Sequence, residues 1–268
     1  MTWLLIPVAL LGCAWLSVVV VLATCQRRLL YRPRPSIRDP AAAGAGWMRA
    51  VPSAREGTLG WWCPPAEANG AVLVFFHGNR GTLPRVAAKM LPWRPLGLGL
   101  FAATYRGFEG NPGQPSEAGL YDDGRAVLDW LRGRGIDAGR VILYGESLGS
   151  GVAVQMACEH AVRGVMLEAP FDSITAAAAA RYPWAPVRLL ARDHFDNLAK
   201  IGRLTMPLLI LHGEDDRTMP IAHGRRLAAA AVPATTRFVA LPQAGHLNLY
   251  ERGADLPVQS FLGQIIGR

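Results

Sequence analysis

Residues 141–151, VILYGESLGSG, are the stretch that most restricts how this chain can fold. A short apolar run at 141–144 leads directly into Gly145-Glu146-Ser147-Leu148-Gly149, and a segment of helical character starts at Gly151 and Val152. This is a serine held on a sharp turn between a strand and a helix, the G-x-S-x-G arrangement in the context it requires. A serine on so tight a turn takes a strained backbone, and side chains at positions 145 and 149 would collide with the neighbouring strand and helix. The turn therefore pushes Ser147 to the tip of a sheet. In a chain with 29 glycines the same pattern also arises where a serine merely caps a helix, so its meaning depends on the rest of the chain.

At 268 residues, 51% hydrophobic and 18% charged, the chain is long and apolar enough for one α/β domain with a large core. Strand-like runs recur at 58–63, 71–76, 96–105, 164–168, 207–211 and 236–241. Helical patterns lie between them, among them residues 120–131 with a start signal at Ser116. Strands alternating with helices predict a mostly parallel sheet covered on both faces. Residues 175–204 are long enough for a small lid over the carboxyl ends of the strands, or for an ordinary crossover with an extra helix.

Residues 3–23 carry no charge and no polar face. As a helix they extend about 30 Å, the hydrocarbon thickness of a bilayer. Seven arginines and two acids follow between positions 26 and 56, so most of the formal charge of +8 sits just behind the apolar segment. The positive-inside rule puts that side in the cytoplasm. The expected organisation is an uncleaved single-pass anchor at 1–25, a basic juxtamembrane linker at 26–56 and a cytoplasmic domain at 57–268. A cleaved signal peptide, or lipoprotein processing at Leu10-Leu11-Gly12-Cys13, is the competing reading; the former would want a basic start and a shorter apolar core. A nucleic-acid partner is not expected, because the basic run brings no zinc-finger spacing or aromatic-basic motif. Four cysteines, at 13, 25, 63 and 158, are too few and too scattered for a disulfide framework or a metal set.

A serine nucleophile needs a base to take its proton, and the base needs an acid to fix its tautomer. Three loops, each following a strand, offer these groups in the order serine, acid, histidine: Ser147, the turn Glu214-Asp215-Asp216, and His246 after Gly245. Parallel strands bring their carboxyl ends together, so the three loops share one sheet edge. Spacing alone does not separate the three adjacent acids. The N–H of Leu148, directly after the serine, is placed to receive a developing oxyanion. His77, His212 and His246 belong to separate loops without metal-ligand spacing, so neither a metal nor a cofactor is expected.

Several stretches together resemble the α/β-hydrolase superfamily, in particular the serine-hydrolase branch that includes membrane-anchored fungal and bacterial homologues and mammalian protein depalmitoylases. They are FFHGNRG at 75–81, YRGFEGNPGQPSE at 105–117, YGESLGSG at 144–151, EAPFDS at 168–173, LLILHGEDDRTMPIAHG at 208–224 and AGHLNLY at 244–250. The resemblance covers the chain from about residue 28 onward. It implies an α/β-hydrolase fold and lays the acid of the triad on Asp216, with Asp215 as a structural neighbour. It also implies that the second oxyanion donor is the N–H of Asn79 and that His77 shapes that loop. Where family members often have alanine after the asparagine, this chain has Arg80, which either favours anionic substrates or faces solvent. The expected activity is hydrolysis of a carboxylic ester or thioester; the anchor keeps the domain at the bilayer face, and with a lid carrying Tyr182, Pro183 and Trp184 this predicts medium acyl chains preferred over acetyl. An amide or peptide hydrolase, and an idle hydrolase fold serving as a tethered interaction module, are the alternatives.

Overall fold

The computed structural model describes residues 2–54 and 56–267; Arg55, counted in the basic run, lies outside the described residues. In chain order the elements are α1 (Thr2–Leu30), β1 (Arg49–Pro52), β2 (Thr58–Cys63), β3 (Val72–Phe76), α2 (Leu83–Met90), β4 (Gly99–Ala103), α3 (Glu117–Arg132), β5 (Val141–Glu146) and α4 (Leu148–Glu159). There follow β6 (Gly164–Glu168), α5 (Ile174–Arg181), α6 (Val187–Leu190), α7 (Leu198–Ile201), β7 (Leu208–Gly213), α8 (Ala222–Ala230), β8 (Thr236–Leu241) and α9 (Asp255–Ile266). The strands form one sheet in the order β1-β2-β4-β3-β5-β6-β7-β8. Pairing is parallel from β4 to β8 and antiparallel where β2 joins β1 and β4, so the sheet is mixed. This is the α/β-hydrolase fold that the motifs imply.

The central strands read as continuous apolar runs because both of their faces are covered. In β3, Val72, Val74 and Phe76 enter the layer shared with α3, α4 and α8. Leu73 and Phe75 point the other way, toward α2 and α9. In β5, Val141 and Leu143 alternate in the same manner with Ile142 and Tyr144. Each aliphatic side chain fully buried in this way contributes about 1.5–3 kcal/mol. Helix α3 begins where its cap predicts: the Ser116 hydroxyl accepts from the Gly119 N–H at 3.1 Å.

Two features depart from the expected organisation. Residues 49–52, read as linker, form the edge strand β1, and Tyr31, Ala45 and Met48 are buried against the domain. The segment is packed rather than free; a four-residue edge strand with one buried side chain has too little pattern to be seen beforehand. Helix α1 also runs past position 25 to Leu30. Its 22 residues from Ala9 to Leu30, with a mean hydropathy of 2.0 over an 18-residue window, are long and apolar enough to cross a membrane. Yet Val19 is buried, and Trp15 Nε1 donates to the Trp184 carbonyl at 3.2 Å, so the second half of α1 lies along the α5–α6 segment.

Candidate active site

Strand β5 delivers Ser147 on a backbone with φ 50° and ψ −113°, a strained conformation for any residue with a side chain. The turn is held on both sides. The Ser147 N–H donates to the Glu168 carbonyl of β6 at 2.8 Å, and the Ser147 carbonyl accepts from the Ser150 hydroxyl at 2.6 Å. The flanking glycines are obligatory for the anticipated reason. A Cβ at Gly149 would lie inside contact distance of the Phe76 carbonyl, and one at Gly145 would sit 2.6 Å from the Gly149 carbonyl.

The structure brings Ser147, His246 and Asp216 together at the carboxyl ends of β5, β8 and β7. His246 Nε2 lies 3.0 Å from Ser147 Oγ, and its Nδ1 lies 2.7 Å from Asp216 Oδ2. With Nδ1–H donating to the carboxylate, Nε2 is free to accept the serine proton. The Asp216 side chain is wholly buried, and its other oxygen accepts the N–H groups of Thr218 and Met219, each at 2.8 Å. Burial opposes its ionisation. Hydrogen bonding to the His212 and His246 imidazoles and to the Met219 N–H outweighs that and holds the carboxyl far below the usual range. Glu214 and Asp215, the rival acids, are exposed. The loop carrying His246 is closed by the Gly245 N–H, which donates to Asn248 Oδ1 at 2.7 Å.

Leu148 is the first residue of α4, where backbone N–H groups have no partner within the helix. The loop bearing Asn79 lies against the elbow: a Cβ built on Gly78 would be 3.4 Å from the Ser147 Cβ. His77 is fully buried beneath this loop, its ring against Tyr105 and Phe108 and its Nδ1–H donating to the Gly78 carbonyl at 2.7 Å. Burial lowers its pKa to about 4, so it is neutral and structural. Arg80 faces solvent.

Among the described residues, two buried ionic clusters beside the elbow and β6 carry no role read from the sequence. Below the elbow, Glu146 is paired with Arg85 at 2.7 Å and Lys89 at 3.0 Å, and Lys89 also pairs with Glu168. Burial opposes ionisation of Glu146, but Lys89 and Arg85 hold it down at about 2. Beside β6, Asp172 pairs with His223 at 2.8 Å and Arg226 at 2.6 Å, tying the start of α5 to α8. Here too burial is outweighed, by the His223 and Arg226 hydrogen bonds, and Asp172 stays at about 2. In the sequence Glu146, Glu168 and Asp172 stand inside the matched stretches 144–151 and 168–173 without a role of their own, and the local hint is a charged residue at the end of an otherwise apolar strand, as at Glu146 and Glu168.

A cavity of about 480 Å³ opens beside these loops. Asn79 and Met219 border it on the side of the site, α1 forms one wall and α5–α6 the other.

Residues 135–260 match the family model described as serine hydrolase. The uncharacterized protein Rv2307c of Mycobacterium tuberculosis is 36% identical over 248 residues, which cover 89% of this chain and 86% of that protein. The lysophosphatidylserine lipase ABHD12 of Macaca fascicularis is 32% identical over 196 residues, covering 65% of this chain and 48% of the lipase. Among solved structures, an esterase of Pyrococcus furiosus superposes with a TM-score of 0.66 at 15% identity, covering 88% of this chain and 98% of the esterase, a likeness of fold alone.

Proposed function

The chain belongs to the α/β-hydrolase superfamily through a serine-hydrolase domain, and on that premise we propose that it is a membrane-anchored hydrolase that cleaves a carboxylic ester or thioester through an acyl-enzyme. The observation that carries this reading is the unbroken hydrogen-bond path from Ser147 Oγ through His246 to the buried Asp216. In the proposed reaction, Ser147 Oγ attacks the acyl carbon while His246 Nε2 takes its proton. Asp216 holds the imidazolium, and the N–H groups of Leu148 and Asn79 receive the oxyanion. As the intermediate collapses, the bond to the leaving alcohol or thiol breaks and His246 returns the proton to that group. Water, deprotonated by His246, then attacks the acyl-enzyme; a carboxylic acid leaves and Ser147 recovers its proton.

An acyl group of hydrocarbon character is supported by the cavity beside Asn79 and by the lipase named among the relatives. The length and apolarity of α1 support a single crossing of the bilayer, with Arg28 and Arg32 at the cytoplasmic headgroups. Arg27 is not available for headgroups, because it is paired with Asp193.

The test is labelling of the full-length protein with a fluorophosphonate, paired with a hydrolysis panel of p-nitrophenyl esters, acyl thioesters and aminoacyl amides. Wild type is expected to be labelled and to turn over esters or thioesters, and Ser147→Ala to do neither. A folded wild type that resists both label and substrate would favour the tethered interaction module. Preferential turnover of the amides would replace the ester reading with an amidase.

A further inference from the structure

An anchor needs no contact with the domain it tethers, yet α1 is tied to this one along its second half. Besides the bond from Trp15 to the Trp184 carbonyl, Gln26 donates to the Leu190 carbonyl at 3.0 Å and accepts from the Arg192 N–H at 2.8 Å. Arg27 makes two hydrogen bonds, at 2.8 and 3.1 Å, to the buried carboxylate of Asp193. At its end, the Leu30 carbonyl accepts from Asn79 Nδ2 at 3.1 Å, and the Arg32 N–H donates to the Asn79 carbonyl at 3.3 Å. The last turn of α1 thus grips the residue expected to supply an oxyanion donor.

These ties hold Val19, Leu22 and Ala23 of α1 opposite Ala178, Tyr182 and Leu190, with the 480 Å³ cavity between them. That volume lies within the range of small-molecule sites, about 300–1,000 Å³. Trp184 and Leu189, 48% and 86% exposed, belong to the same α5–α6 segment, and the outward face of α1 presents Leu16, Val20 and Val21. Exposed apolar residues of α5–α6 and of α1 make one surface fit to lie in lipid.

We propose that α1 is part of the substrate site: its inner face is one wall of an acyl-chain cavity, and a membrane amphiphile presents its ester to Ser147 with the tail held between α1 and α5–α6. The proposal rests on the hydrolase reading above. Lipid tails are already in apolar surroundings, so moving one into the cavity gains little from the hydrophobic effect. What the cavity supplies is fit, with its Asn79 and Met219 edge on the side of Ser147.

Full-length protein in phosphatidylcholine nanodiscs is assayed on p-nitrophenyl acetate and p-nitrophenyl dodecanoate. Ala23→Trp, which fills the cavity from the α1 side, is expected to lower the dodecanoate-to-acetate ratio of kcat/KM by about tenfold or more. Leu22→Ala, which enlarges it, is expected to raise the same ratio. Val21→Trp, on the outward face of the same helix, should leave the ratio unchanged. If wild type is labelled by fluorophosphonate at Ser147 and active, and neither Ala23→Trp nor Leu22→Ala alters the ratio, this proposal is overturned while the hydrolase reading stands. If wild type is neither labelled nor active on any ester, the hydrolase reading falls and this proposal falls with it.

Discussion

Ser147 is the residue on which the proposed chemistry turns. Ser147→Ala removes the hydroxyl without changing the volume of the elbow appreciably, so folding should persist while kcat drops by at least about 10³. A folded variant with comparable turnover would remove Ser147 from the mechanism. The adjacent acids differ in burial, and their substitutions should differ accordingly. Asp216→Asn should cost about 10²–10⁴ in kcat, since it replaces with a neutral amide the only carboxylate that meets His246 among the described residues. Asp215→Asn alters an exposed group and should cost far less; the reverse order would reassign the acid. Asn79→Ala keeps the backbone N–H but cuts the tie to the Leu30 carbonyl. It should lower kcat by about tenfold with KM little changed, less than the ~10²–10³ of losing an oxyanion donor outright. An unchanged kcat would mean that the bond from Asn79 to the Leu30 carbonyl does not position this loop.

At the scale of elements, the strand–turn–helix unit tolerates no extra atom at its glycines. Gly149→Ala would drive a methyl group into the Phe76 carbonyl of β3, and neither the sheet spacing nor the start of α4 can yield without breaking the elbow. A loss of several kcal/mol, on the order of 4 or more, is expected from such overlap. It would be read as failure to accumulate folded protein or as a large fall in thermal midpoint. Gly139, with nothing within 4 Å of a built Cβ, is the control. Gly139→Ala should be neutral or stabilising by a few tenths of a kcal/mol, roughly 0.4 or more. The joint between α1 and the domain is more modest. Asp193 lies at its centre, accepting from Arg27 and from the Glu117 N–H at the start of α3. Because the carboxylate is buried, its removal leaves the Glu117 N–H without this acceptor, whereas the half-exposed Arg27 is solvated and loses less.

For the whole molecule, acid and the bilayer are the informative variables. His77 has a folded pKa of about 4 against 6.5 for an ordinary imidazole, so the unfolded chain binds the proton first. Its contribution is complete above pH 6.5 and is lost as pH falls toward 4, worth at most about 3 kcal/mol. Glu146 and Asp172, both held near 2, contribute stability above the ordinary carboxylate range that is lost as pH falls through about 2. The thermal midpoint should therefore decline in two stages, first between pH 6.5 and 4, then below 4. A flat profile across the first interval would show that His77 can be protonated without opening the fold. With α1 in the bilayer, the protein should remain in membranes through high salt and alkaline carbonate. Release by salt alone would contradict the anchor.

The succession of strands and helices was legible in the sequence, as were the elbow at Ser147 and the loops carrying the acidic turn and His246. Strands covered on both faces must be continuous apolar runs, and a turn without room for a Cβ must carry glycine; both are local demands that leave local marks. Pairing is not local. Which of three consecutive acids meets His246 depends on a turn in which one step exchanges burial for exposure, decided by packing against His212 and the loop after β8. The edge strand β1 has too few residues to show a period. The hydrophobicity of α1 announced a helix of membrane length but not the contacts its second half makes with the domain. Its face meets α6 and the residues after it across 164 residues of chain, from Gln26 to Leu190, and periodicity records how buried a face is without recording against what.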